Sequence, residues 1–266
     1  MQATHHNTPF ARSLQIQLRV LGALVLRETL TRYGRKNLGF LWLFVEPMLF
    51  TIGVIALWTA LNSTHGSRLP VAAFAITGYS SVILWRNCAN RCALAILPNQ
   101  NLLYHRNIKV LDFFLARLVL EVSGATISLI VLASIFVVIG LMPAPYDMGV
   151  MVAGWIILVL FSVALGLFVG ALTERSEVAE RFWHPVSYFL FPLSGAVYMV
   201  DWLPQSLQSY ALYLPMVNGV ELLREGYFGP LVRAHYDIGY AVTSSLVLMF
   251  VALCLIREAA RRVVLE

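Results

Sequence analysis

Leu38-Gly-Phe-Leu-Trp-Leu-Phe-Val-Glu-Pro-Met-Leu-Phe-Thr-Ile-Gly-Val-Ile-Ala-Leu-Trp-Thr-Ala-Leu61 carries one carboxylate and no cation. A helix of about 20 apolar residues crosses a hydrocarbon core roughly 30 Å thick, so this stretch reads as a first transmembrane span. Five further runs have the same character: Val71 to Leu97, Leu118 to Met142, Val150 to Leu172, Phe182 to Val200 and Ile238 to Ile256. The expected fold is therefore an all-α polytopic membrane protein with six transmembrane helices in a single domain. The second span is the least regular, because Arg86, Asn87, Asn90 and Arg91 occupy its last third and must leave the bilayer or face protein or water.

Composition agrees. Of 266 residues, 59% are hydrophobic and 12% charged, against roughly 45–50% and 25% in a soluble domain, which excludes an ordinary soluble enzyme. The 17 glycines and 11 prolines lie largely within apolar stretches and suit packed membrane helices. Three cysteines give no disulfide framework. The net charge of +5 is explained by basic residues flanking the spans, so nucleic acid is not an expected partner. The first 37 residues are polar and basic, and no removable signal peptide is expected. With an inside N-terminus, sixteen of the nineteen Lys and Arg residues fall on one side, leaving Arg68, Arg224 and Arg233 outside. The positive-inside rule makes that side cytoplasmic and places both termini there.

Outside the spans, residues 10–36 form an expected interface helix, with Leu14, Leu18, Leu21 and Val25 on one face and Arg12, Arg19 and Arg27 opposite. Leu24 and Leu26 blur the edges of that stripe. His5 and His6 fall in the leader and suggest no metal site. Residues 98–117 form a cytoplasmic region in which Pro98-Asn-Gln-Asn101 stops one helix and caps a short one running from Leu102 to Lys109. That helix reads either as a solvated elbow or as a docking surface. Residues 201–237 are long for a loop, and Pro204, Pro215 and Gly226 divide them into two short helices, each too short to cross, which form an outer re-entrant or interfacial hairpin. Glu221, Arg224 and Glu225 lie at spacings that allow local ion pairs.

No phosphate-cradling loop, zinc motif, C-x-x-C pair or nucleophile elbow is present, so no catalytic, cofactor or metal site is expected. Cys88 and Cys92 read as helix packing. Transport would then need an ion gradient or an external ATPase. Only Glu46 and Glu121 approach apolar runs, which weakens the gradient-driven reading. Gly166-x-x-x-Gly170 permits close helix approach, within the chain or between copies. Spans one and five are rich in aromatics: Phe40, Trp42, Phe44, Phe50 and Trp58, then Phe182, Trp183, Tyr188, Phe189, Phe191 and Tyr198. These read as interfacial anchors and lipid-facing packing, or as flat walls for sugar rings.

Arg32-Tyr-Gly-Arg-Lys-Asn-Leu-Gly-Phe-Leu-Trp-Leu-Phe-Val-Glu46-Pro47 resembles the start of the first span in ABC-2 type permeases, particularly the capsular-polysaccharide export branch. So do Ser194-Gly-Ala-Val-Tyr198, Trp202-Leu-Pro204 and Leu214-Pro-Met-Val-Asn218-Gly-Val-Glu221-Leu-Leu-Arg224-Glu-Gly-Tyr-Phe228, which resemble the fifth span and outer hairpin. Ser194-Gly195 departs from the Ser-Pro of many relatives. The resemblance covers residues 10 to 260. It implies two copies of this chain working with two copies of a cytoplasmic ATPase that binds ATP and Mg. Tyr104, His105, Arg106, Asn107 and Lys109 would couple to that ATPase. It further implies a path between spans one and five of both copies, for which Trp42, Phe50, Arg86, Arg91, Tyr188 and Tyr198 are the candidate residues. Arg86 and Arg91 would draw a polyanion inward or snorkel to lipid phosphate. Glu46, Pro47, Glu221 and Arg224 are candidates for a gate or hairpin. The implied substrate is lipid-linked acidic polysaccharide crossing a bacterial inner membrane, handed to periplasmic and outer-membrane export proteins. Lipid-linked O-antigen, teichoic acid or a small hydrophobic compound are alternative cargoes, and a non-transporting scaffold is the alternative of a different class.

Overall fold

The computed structural model describes residues 10–33, 38–60, 69–93, 95–104 and 108–263. Nine α-helices occur among them, in the order α1 (Phe10–Tyr33), α2 (Leu38–Ala60), α3 (Val71–Cys92), α4 (Val110–Val138), α5 (Met148–Thr173), α6 (Glu177–Leu193), α7 (Gln205–Leu212), α8 (Pro215–Phe228) and α9 (Ile238–Val263). Short 3₁₀ helices cover Leu97–Tyr104, Val200–Trp202 and Gly229–Leu231, and the described residues contain no strand. Four helices are long and apolar enough to cross a membrane: α2, α4, α5 and α9. Helix α3, with 22 residues, carries Arg86 and Arg91 and is buried along most of its length, while α6 has 17 residues.

Local chemistry sets these limits. The Asp147 carboxylate accepts from the amides of Gly149 and Val150 and starts α5, and Ser176 caps α6, whose first turn holds Glu177 and Glu180. Pro215 occupies the first turn of α8, where no amide is needed. Gly229, at φ +55°, ends it in a conformation that a side chain would oppose.

Helix α5 is the post on which the others lean, and small residues make that possible. A Cβ on Gly154 of α5 would lie 2.4 Å from the Leu223 amide nitrogen of α8, and one on Gly226 of α8 would lie 2.1 Å from the Met151 nitrogen of α5. The two backbones therefore cross in direct contact. At the other end of α5, a Cβ on Gly166 would meet the Cys88 carbonyl at 3.0 Å and one on Gly170 the Cys92 carbonyl at 2.9 Å. Gly166-x-x-x-Gly170 is thus filled inside the chain by the α3 backbone together with Leu118 and Phe114 of α4, and Cys88 and Cys92 are buried, unbonded packing residues in that seam.

Several sequence expectations shift. Gly226 does not divide the hairpin, because it lies inside α8 at the α5 crossing. The second hydrophobic run ends as helix at Cys92, and the stretch from Pro98 to Asn101 is itself part of a 3₁₀ helix. Lys109, expected at the end of a helix beginning at Leu102, is extended and precedes α4. Helix α4 starts at Val110 rather than Leu118 because the buried Asp112 carboxylate accepts from the Lys109 amide at 2.8 Å, an N-terminal cap in its first turn. Helix α6 ends at Leu193, before Val200. The chain turns there through Gly195, at φ +78°.

Replacing Gly226 with Ala is expected to destabilise the fold by about 1–3 kcal/mol through overpacking, read as a lowered melting temperature in detergent. Gly53→Ala on α2, where nothing lies within 4 Å of the new methyl, should melt as the wild type does.

Candidate functional site

The candidate residues distribute over three places along the bundle. At the end carrying α1, a polar clasp joins that helix to α3, α4 and the 97–104 turn. The Gln17 amide donates to Asp112, and Arg27 Nη1 donates to Asn99 Oδ1 at 2.7 Å. Arg32 donates to both Glu28 and Glu121. Arg117 Nε lies 3.1 Å from Glu28 Oε1, and its Nη1 donates to the Arg91 carbonyl at 2.6 Å, closing the C-terminal end of α3. Arg91 Nε lies 3.5 Å from Glu121. Burial lowers the Arg32 pKa, but the facing Glu121 and Glu28 carboxylates outweigh it and hold it above its ordinary value. Below the ion pairs, Leu24 packs with Phe113 and Ala116 among Val20, Leu21 and Val25. Leu14 and Leu18, part of the apolar stripe expected to lie along the membrane interface, are exposed, while Leu21 and Val25 of the same stripe pack beside Leu24. At 100° per residue the contact face centres near Leu24, roughly 80° around the helix from that stripe. Charged Arg27, Glu28 and Arg32 belong to it, so the face that meets the bundle is distinct from the leucine stripe. The clasp borders a cavity of about 440 Å³ that includes Arg27, Arg91, Asn99 and Arg117 in its wall. Asn99, expected as a capping side chain, accepts from Arg27 instead, and Asp112 carries no expectation from the sequence reading. Asp112, three residues after an extended Lys109, carries a capping signal that could have marked it. His105, Arg106 and Asn107 lie outside the described residues, as does the Tyr104 side chain.

Midway, α2, α3 and α6 share aromatic contacts. Phe50 and Phe191 lie 5.8 and 5.7 Å from Tyr79, and Trp58 lies 5.7 Å from the same ring. The Arg86 guanidinium sits 4.5 Å above the Tyr188 ring, bringing two candidate residues together. Trp42, Phe50 and Tyr188 are at least half exposed, and Phe189 is 74% exposed, so α2 and α6 present aromatic surface that this chain does not cover. Glu46 is exposed on α2, whereas Pro47 beside it is buried and its carbonyl accepts from Thr51. Arg91 belongs to the clasp rather than to this face. Trp183 Nε1 donates to Asn90 Oδ1 at 2.7 Å and fixes α6 on α3.

At the far end, Arg224 of α8 is wholly buried. Its Nη1 donates to the Gly195 and Tyr198 carbonyls at 2.7 and 2.6 Å, and Nη2 donates to Ala196 at 2.6 Å. Phe74 of α3 lies under the guanidinium carbon at 3.7 Å. Burial pulls the Arg224 pKa down to about 9, so it remains charged at neutral pH. Glu221 accepts from the amides of Val200 and His235, both at 3.0 Å. Burial raises its pKa, and those two amides partly offset the rise. The expected local ion pairing gives way to a different use of charge: Arg224 holds carbonyls of the connection before the hairpin, and Glu221 holds amides of the connections on either side of it. Gly78 leaves room for this, since a Cβ there would sit 2.2 Å from the Ala196 oxygen. Tyr198 contributes its carbonyl to the staple, and its hydroxyl donates to Leu193.

The profile of the family described as ABC-2 type transporter matches residues 19–228. This chain belongs to that family. It is 43% identical over 258 residues to the capsule polysaccharide export inner-membrane protein CtrC of Neisseria meningitidis, covering 97% of each chain. It is 43% identical over 254 residues to BexB of Haemophilus influenzae, a protein of the same description, covering 96% of each. The polysialic acid transport protein KpsM of Escherichia coli is 27% identical over 259 residues, with 93% of this chain covered. The match runs from within α1 to the end of α8 and takes in the aromatic face and all of the clasp and staple except Gln17 and His235.

Arg224→Met should lower stability by roughly 3 kcal/mol or more, because three buried carbonyls lose their donor. Arg224→Lys should recover only part of it, since an ammonium lacks the planar fork. Thermal unfolding of the purified protein reads both. Glu121→Gln should loosen α1, seen as several-fold faster tryptic cleavage at Arg19 and Arg27 with the remaining fold intact.

Proposed function

We propose that this chain is the membrane-spanning permease subunit of an ATP-driven ABC exporter that moves lipid-linked capsular polysaccharide from the cytoplasm across the bacterial inner membrane. The observation that carries this reading is the 43% identity to two capsule export inner-membrane proteins over nearly the whole of each chain. In this arrangement α2, α3, α4, α5, α6 and α9 are the six spans. Helix α3 is about 33 Å long at 1.5 Å per residue, matching a core of roughly 30 Å, and its surroundings are protein rather than lipid. Helices α7 and α8 form a re-entrant hairpin on the outer side, and both termini are cytoplasmic.

Two copies pair with two copies of an ATPase subunit that holds ATP and Mg, and periplasmic and outer-membrane export proteins receive the polymer. Helix α1 and the segment from Tyr104 to Lys109 meet the ATPase. The clasp then has a mechanical role: four side chains of α1 hold α4 and the 97–104 turn, and Arg117 and Glu121 of α4 pass the grip to Arg91 of α3, so a displacement imposed there reaches the bundle as one body. The path runs between α2 and α6 of the two copies, whose uncovered aromatics offer flat apolar faces to sugar rings. Arg86, held over Tyr188, and Arg91 favour a polyanion at the inner end.

In a capsule-forming strain lacking its own permease, the wild-type chain should restore surface polymer and co-purify with the ATPase in mild detergent. Scrambling Tyr104 to Lys109 should abolish both. The double variant Arg86→Gln, Arg91→Gln should lower surface polymer several-fold at normal protein level. Normal export by that double variant would remove the recruiting role.

A further inference from the structure

Beyond the path between copies, the hairpin end has a concave site of its own. Leu69, Met199, Asp201, Trp202, Val232 and Arg233 border a cavity of about 310 Å³, within the range of roughly 300–1,000 Å³ typical of small-molecule sites. Trp202 stacks on Phe74, with ring centroids 5.2 Å apart and planes 20° from parallel, and Phe74 is itself packed against the buried Arg224 guanidinium. The ring is thus backed by a fixed layer, yet remains 39% exposed. Asp201 Oδ1 meets His235 Nε2 at 3.1 Å, and a carboxylate has further acceptor sites beyond one such bond. Arg233 is exposed at the rim.

We propose that this cavity is a saccharide subsite at the outer mouth, taking an acidic sugar residue of the emerging chain. This proposal rests on the polysaccharide-export reading. The apolar C–H face of a pyranose ring lies against Trp202, the sugar carboxylate meets the fork of Arg233, and Asp201 accepts from a ring hydroxyl. An aromatic, one anion and one cation around a small concavity match a single sugar better than a protein surface, which buries a broad area. Trp202 and Asp201 belong to the 3₁₀ turn whose first amide, that of Val200, is held by Glu221. Occupancy of the cavity therefore bears directly on the connection that Glu221 and Arg224 hold.

The test uses the full chain in lipid nanodiscs, with an α2,8-linked sialic acid tetramer and neutral maltotetraose as probes, followed by saturation-transfer NMR at low salt. The wild type should saturate the ring protons of the acidic tetramer preferentially. Trp202→Ala should abolish the signal, Trp202→Phe should keep most of it, and Arg233→Gln should weaken acidic binding at least five-fold and erase the preference over maltotetraose. Because Arg233 is exposed, its variant reads the proposal even if Trp202→Ala fails to fold. Absence of binding to the wild type, or equal binding by wild type and Arg233→Gln, overturns the subsite. The same variants are scored for surface polymer in the complemented strain. Lost export with unchanged oligosaccharide binding would assign this face to a protein partner and overturn the subsite as well. Failure of the wild type to restore surface polymer would instead strike the export reading, while the NMR arm still decides whether the cavity binds acidic sugar.

Discussion

Backbone-to-backbone contact along α5 is the constraint from which the remaining architecture follows. Lipid tails are as apolar as leucine, so helices in a bilayer gain little from hiding hydrophobic side chains and must gain from close packing. Gly154 and Gly226 bring α8 onto one end of α5, and Gly166 and Gly170 bring α3 onto the other. Only with α8 and α3 both seated on this post can Arg224 of α8 reach Phe74 of α3 and the carbonyls of residues 195–198. The charged interior of the hairpin end is a consequence of an uncharged seam.

Buried charge is used differently at the two ends. Near α1, acid meets base: Glu121 and Glu28 face Arg32, Arg91 and Arg117, a set of side chains on three helices and therefore sensitive to how those helices are arranged. At the hairpin end, Arg224 and Glu221 bind main chain, which fixes the course of the connections. In the exporter proposed above, the clasp would transmit displacement where force enters, and the staple would preserve the shape of the exit.

The hydrophobic runs and the two short helices α7 and α8 were legible in the sequence because each depends on composition or on proline. The fitting of Gly166 and Gly170 was legible as close approach, though only the fold shows that α3 fills it. The face that α1 turns to the bundle was not, because it mixes Leu24 with Gln17, Glu28 and Arg32 and carries no hydrophobic period of its own. The partners of Arg224 were hidden for another reason: carbonyl oxygens leave no mark on residue type. Gly226 looked like a helix end because glycine commonly is one, and here it serves a crossing instead.

The sequence carries no phosphate-cradling loop, and membership of the ABC-2 family implies an ATPase partner. Co-reconstitution in liposomes, with ATP hydrolysis and vesicle-enclosed polymer measured together, tests that directly. The account predicts no hydrolysis by this chain alone, hydrolysis when the ATPase subunit is added, and polymer movement only when both are present. Polymer movement by this chain without the ATPase, or ATP hydrolysis by the chain alone, would contradict it.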